Sequence, residues 1–246
     1  MHCTKRSGEF KVMSIQQHHF PTLFSTQSFL KENWEQLRPE SDSILISTNQ
    51  QTEGTGRQGS SWKYFEGSLA MSFAISSHRP FLGLTSLEVG CLVAEFFNDF
   101  PLYLKWPNDL FFQNKKCGGV ILQNLSHDFL ACGVGLNINQ QDNTLDTIHD
   151  GQAASSLQLV NQTSLKTLSH QLYKYILNNR MDSEGIRKEF LKRCIHLNKQ
   201  CTLKQGQKVL AKGKFTGIGE QGEALIKSTR GDIESHYTGS LYWDES

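Results

Sequence analysis

Residues 68–76 read Ser-Leu-Ala-Met-Ser-Phe-Ala-Ile-Ser, and this alternation constrains the fold more than any other stretch. Successive side chains of a strand point to opposite faces, so Leu69, Met71, Phe73 and Ile75 line one face. Ala70, Ser72, Ala74 and Ser76 line the other. The bulky face needs an apolar layer against it. The small face leaves room for a second body to lie close to the backbone. Such a strand belongs inside a sheet with something packed on both sides.

The rest of the chain supplies those layers. From Thr26, Leu30, Trp34 and Leu37 recur at helical spacing, with Ser25 or Thr26 as cap. Ile44–Ile46 forms a short apolar strand, and residues 50–61 form a polar, glycine-studded loop expected to be mobile. A largely apolar helix is predicted over 84–98. Strand runs follow at 102–106, 110–113, 118–125 and 129–139. Leu165, Leu168, Leu172 and Ile176 stripe one further helix, and Ile186, Phe190 and Ile195 another. Residues 1–20 carry no periodicity and read as irregular. After residue 198, seven glycines from Gly206 to Gly239 punctuate short β-formers, which points to a small β-barrel. Strands and helices come in groups rather than strict alternation, so the fold class is α+β, a mixed or antiparallel sheet packed with helices. The expected organisation is a main domain over 1–198 and a barrel over 199–246.

Composition narrows the function classes. A net charge of +1 over 246 residues lacks the basic surplus that non-specific nucleic-acid or membrane-surface binding requires. No apolar run approaches the roughly 20 residues that span a bilayer. No apolar stretch follows the basic residues near the N-terminus, so no secretory signal is expected. Six scattered cysteines without metal-type pairs fit reduced thiols, and a cytoplasmic location is the expectation.

Four segments carry candidate chemistry. In Gly54-Thr55-Gly56-Arg57-Gln58-Gly59-Ser60-Ser61-Trp62, close glycines let backbone N–H groups approach an anion, and Arg57 adds a planar charged fork. Alone, this equally describes a flexible connection. It matches neither a Walker A loop nor a dinucleotide fingerprint. Lys105-Trp106-Pro107-Asn108-Asp109 places a turn at a strand end, where Lys105 and Asp109 are positioned for phosphate and Mg²⁺; solvated charges on an ordinary turn are the alternative. Lys115-Lys116-Cys117-Gly118-Gly119 sets a lysine before an apolar strand, at a pocket mouth or on an exposed turn. Gly133-Val134-Gly135-Leu136-Asn137-Ile138-Asn139 is a strand with two glycines, marking close approach of a ligand or backbone, or a bulge.

In this order the four segments, spanning about residues 23–139, closely resemble the catalytic domain of biotin–protein ligases. The Lys-Trp-Pro-Asn-Asp run is the most specific of them. The resemblance extends more weakly to Gly217-Ile218 and Gly222-Glu223-Ala224-Leu225-Ile226, which look like the family's SH3-like barrel. It implies a class II aminoacyl-tRNA-synthetase-like catalytic domain that forms biotinyl-AMP from biotin and ATP. The biotin then passes to a lysine of a biotin carboxyl carrier domain. The implied biotin-binding residues are Ser25, Thr26, Gln27, Gln51, Thr55, Gly56, Arg57 and Lys116. The implied ATP-binding residues are Gly54, Gly56, Arg57, Trp62, Lys105, Asn108, Lys116 and Asn137. Arg57 and Lys116 would be catalytic, and Asp109 would hold Mg²⁺.

Three departures qualify the resemblance. Repressor members carry an N-terminal helix-turn-helix, whereas about 20 residues precede the catalytic region here, so no DNA binding is expected. Thr55 stands where many members have arginine, and Tyr242 follows Ser240-Leu241 where arginine is frequent. The rivals are a lipoate–protein ligase or octanoyltransferase, which shares the fold, and a non-catalytic biotin-binding regulator. A monomer and a homodimer are both compatible with the sequence.

Overall fold

The computed structural model describes residues 14–38, 43–59, 61–62, 67–77, 82–138, 155–159 and 163–243. A seven-stranded mixed sheet forms the centre. Its strands are β1 (Gln16–Leu23), β2 (Ile44–Gln51), β5 (Ser68–Ser76), β6 (Tyr103–Lys105), β7 (Asp109–Phe112), β8 (Lys115–Asn124) and β9 (Phe129–Asn137). In space they run β1-β2-β5-β9-β8-β7-β6, with only the β1–β2 pair parallel.

The alternation in β5 sorts the layers. Leu69, Met71, Phe73 and Ile75 join the main core with α2 (Leu82–Phe96), α3 (Leu165–Asn178) and α4 (Ser183–Arg193). On the opposite face Ala74 and Ala131 meet Leu30 and Trp34 of α1 (Thr26–Leu37) in a smaller cluster. Ser25 caps α1 by accepting from Ser28 N at 3.3 Å. Sandwiched between the sheet and two helices, α2 buries residues around most of its circumference. Its one buried carboxylate, Glu88, accepts from Arg180 Nε and Nη2 at 2.9 and 3.0 Å and from Met181 N at 2.8 Å. Without such partners a charge at 0% exposure would be very costly.

Residues Gln200–Gln205 (β10), Lys208–Ile218 (β11), Ala224–Lys227 (β12), Ile233–His236 (β13) and Ser240–Tyr242 (β14) form a second, antiparallel sheet ordered β13-β12-β11-β10-β14. Leu203, Phe215, Ile226 and Leu241 from this sheet continue the main core without a break. Trp106 Nε1 donates to Gly222 O at 2.8 Å, tying the two sheets together through a side chain 1% exposed.

Several expectations need correction. Residues 16–20 are strand rather than irregular, because parallel pairing with β2 supplies bonds that no periodicity announced; Ser14 and Ile15 are irregular as expected, and 1–13 lie outside the described residues. The strand at Ile44 runs on to Gln51. Within 50–61 the chain forms a short hairpin, β3 (Gly54–Thr55) and β4 (Ser61–Trp62), around a 3₁₀ turn over Arg57–Gly59. Ile195 falls beyond α4, its N–H donating to Leu104 O at the edge of β6. Asn139, the expected end of β9, lies outside the described residues.

Candidate active site

The small face of β5 continues across the sheet. Register pairs Ala70 with Gly135 and Ser72 with Gly133, and on the far side of β9 these glycines face Gly119 and Ile121. The result is a trough of short side chains beside the N-terminus of α1. The pairing of β9 runs through both glycines without a register shift, so they mark close approach and not a bulge. A Cβ at Gly133 would come within 2.8 Å of Gln27 Oε1, and one at Gly135 within 2.8 Å of the Trp62 ring.

The α1 end of the trough is polar and buried. Gln51 Oε1 accepts from Thr26 N at 2.9 Å and Thr26 Oγ1 at 3.1 Å. Thr26 Oγ1 also meets Ser72 Oγ at 2.9 Å, and Ser25 Oγ lies 3.5 Å from Thr55 Oγ1. Gln27 Nε2 donates to Ala131 O at 3.0 Å, whereas its Oε1 is buried with no hydrogen-bond partner among the described residues. An orphaned acceptor in such a place costs free energy unless a ligand supplies a donor. Gly54 must be glycine, since a Cβ would stand 2.6 Å from both Gln51 Nε2 and Trp62 O.

The other end is charged. Lys116 Nζ pairs with Asp109 Oδ1 at 2.6 Å. Arg57 Nη1 donates to Asn108 Oδ1 at 3.2 Å and to Gly239 O at 3.5 Å. Burial pulls the Arg57 pKa down and the nearby Asp109 carboxylate opposes that pull; the guanidinium stays a cation at any working pH. Asn108 itself is fixed by donating Nδ2 to Val120 O at 2.7 Å. Two cations about sixty residues apart in sequence therefore converge on one turn. Lys115, by contrast, is exposed.

Not every expected residue joins that cluster. Lys105 is buried, with Nζ over the rings of Phe111, Tyr242 and Trp243 at 5.7, 5.3 and 5.5 Å. The site strand and β14 are thus tied by cation–π contacts. Asn137 accepts from Ser68 Oγ at 3.4 Å and donates Nδ2 to Ser155 O at 3.1 Å. Sequence reasoning missed Ser155, Gly239 and Trp243, which lie outside every motif and reach the site only through tertiary folding. Tyr242 had a signal, as a departure from the family pattern.

A metal would find one carboxylate here. Among the described residues no three His, Cys, Asp or Glu side chains gather as a cage. Mg²⁺ needs none when it arrives on phosphates, because one or two carboxylates complete its shell. Asp109 beside two cations fits that donor set.

Known proteins resemble this chain in sequence and fold. The sequence model of the biotin/lipoate A/B protein ligase family matches residues 20–139. A biotin–protein ligase of Schizosaccharomyces pombe is 26% identical over 234 residues, covering 81% of this chain and 37% of that protein. A chloroplastic biotin–protein ligase of Arabidopsis thaliana is 28% identical, covering 70% of this chain and 48% of that protein. The chain thus spans about half the length, or less, of these curated relatives. The Aquifex aeolicus biotin protein ligase, solved in complex with biotin and ATP, superposes with a TM-score of 0.73 at 27% identity, covering 94% of this chain and 99% of that one. Residues 20–139 thus carry a domain of the biotin/lipoate A/B protein ligase family, and the architecture around it is like that of biotin–protein ligases.

Proposed function

We propose that this chain activates biotin with ATP and transfers it to a specific lysine of a biotin carboxyl carrier domain. A biotin carboxylate oxygen attacks the α-phosphorus, the bond to pyrophosphate breaks, and biotinyl-5′-AMP forms. The acceptor amine then attacks the acyl carbon and AMP leaves. The convergence of Arg57 and Lys116 on the Asn108–Asp109 turn carries this reading. Both substrates are anionic, and two preorganised cations offset their repulsion and the charge that develops in the transition state. No enzyme nucleophile is required.

The polar end of the trough suits the ureido ring of biotin. Ser25, Thr26, Gln51 and Thr55 surround it, and the open Gln27 Oε1 accepts a ureido N–H. Gly54, Gly56 and Arg57 on the hairpin and Lys116 on β8 hold carboxylate and α-phosphate. Trp62, Asn108 and Asn137 flank the nucleotide, and Lys105, in register with Asp109 and held over three aromatic rings, adds positive charge at that end. Mg²⁺ carried by ATP would neutralise phosphate charge, and Asp109 would supply its protein carboxylate. The catalytic part is 1–198 and the appended β unit 199–246, the latter contributing Gly239 O to Arg57.

A lipoate ligase is not favoured, because the relatives named above are biotin ligases. Incubation with ATP and Mg²⁺ plus biotin or lipoate, followed by mass spectrometry, tests the proposal. Biotinyl-AMP and pyrophosphate are expected. Lipoyl-AMP alone would move the chain to the lipoate branch, and tight biotin binding without adenylate would make it a binding protein.

A further inference from the structure

Lys116 is aimed by an irregularity. Register in the β7–β8 pair runs Leu110 with Gly118, then Phe111 with Lys116, leaving Cys117 as an extra residue. Strict alternation would put residues three apart on opposite faces; the bulge puts Lys116 and Gly119 both on the trough face. A bulge also interrupts ladder bonds. The strand here leaves a tight turn in which Gln113 and Asn114 take φ of 52° and 59°, so it needs ties from elsewhere.

Ser155 supplies those ties. Its N–H donates to Lys116 O at 3.0 Å, and its hydroxyl lies 2.9 Å from Phe112 O and 3.2 Å from Lys115 O. Its own carbonyl accepts from Asn137 Nδ2 at 3.1 Å. The carbonyls of residues 115 and 116 bracket the Lys116 Cα, and one residue at 5% exposure holds both. Fixing both peptide planes fixes the direction in which the Lys116 side chain leaves the backbone, and Asp109 then takes its ammonium.

We infer that Ser155 is the positioning residue for Lys116, linking the bulged start of β8 to Asn137 on β9. The inference rests on the ligase reading above. Catalytic geometry tolerates only about 10–20° of looseness, and a misplacement of about 1 Å can cost on the order of a hundredfold in rate. Ser155→Ala keeps the backbone bond and removes the hydroxyl, and with it the one donor shared by the Phe112 and Lys115 carbonyls.

The test is a double-mutant cycle on the rate of biotinyl-AMP formation, using Ser155→Ala, Lys116→Ala and the pair. Ser155→Ala alone should lower kcat about tenfold, the loss of one well-placed hydrogen bond. On the Lys116→Ala background the same change should cost less than about twofold, because a residue acting through Lys116 has nothing left to position. Ser155→Thr, which keeps the hydroxyl, should restore most of the rate. Equal losses on both backgrounds, or no loss at all, would overturn the inference. If Ser155→Ala does not fold, Ser155→Cys takes its place under the same criteria. A wild type that forms no adenylate would refute the ligase reading instead. The positioning role is then judged without turnover, by amine acylation followed by peptide mass spectrometry. Lys116 should react faster in Ser155→Ala than in wild type, with Lys115 unchanged, and equal reactivity would refute the role.

Discussion

Lowering the pH from 7 to 5 is expected to destabilise the fold by about 2 kcal/mol through His196. This side chain is fully buried, its ring 4.3 Å from Phe215 and stacked at 22° on Trp243. Burial, and then repulsion from Lys105 and Lys199, lowers its pKa to about 3. In the unfolded chain it returns to the ordinary value of 6.5. A proton therefore binds the unfolded state first. The stability linked to a neutral His196 is complete above pH 6.5, falls between 6.5 and 3, and levels off below that. Between pH 7 and 5 about 1.5 units lie in the sloping region, at about 1.4 kcal/mol each. Urea unfolding at both pH values, in wild type and His196→Phe, measures it. Phenylalanine keeps a ring between Phe215 and Trp243 and cannot titrate, so the variant should lose about 2 kcal/mol less than wild type on acidification. The same pH dependence in both proteins would refute the buried, neutral histidine.

Two other substitutions separate chemistry from architecture. Arg57→Gly removes the contacts to Asn108 and Gly239. This variant should still form biotinyl-AMP, more slowly, and release it, so that biotin appears on bystander proteins in a streptavidin blot. No adenylate would assign Arg57 to the first step, and retention equal to wild type would refute a holding role. Glu88→Ala strips the partner from Arg180 and should cost about 3 kcal/mol in chemical denaturation, as breaking a buried pair does. A loss under about 1 kcal/mol would show the clamp contributes little.

The parts of the fold legible in the sequence are those governed by period. The alternation of β5 predicts two unequal layers, and the small face does lie against α1 and the trough. The stripe of Leu30 and Trp34 predicts α1. The parallel strand β1 was not legible, because Gln16–His19 is polar and gains its place from pairing with β2 and from hydrogen bonds of Gln17 to α3. At the site, Arg57, Asn108, Asp109 and Lys116 could be read as motifs, and their convergence supports that reading. Lys105 shows the limit: a local motif sets it beside Asp109, and three rings, two of them from the far end of the chain, decide where its ammonium sits. Ser155 and His196 act through tertiary neighbours, which no local pattern encodes.

The hairpin on which Trp62 sits also gives the molecule an optical gauge. Four tryptophans share the emission, and one of them, Trp243, is stacked on His196 rather than set in the trough. Trp34 and Trp106, 2% and 1% exposed, stay in permanent cores and form a steady background. Trp62 rests on Gly135 in the trough itself, its indole N–H without a hydrogen-bond partner among the described residues. A molecule entering the trough changes what surrounds that indole, so the intensity and colour of Trp62 fluorescence track occupancy with no label attached.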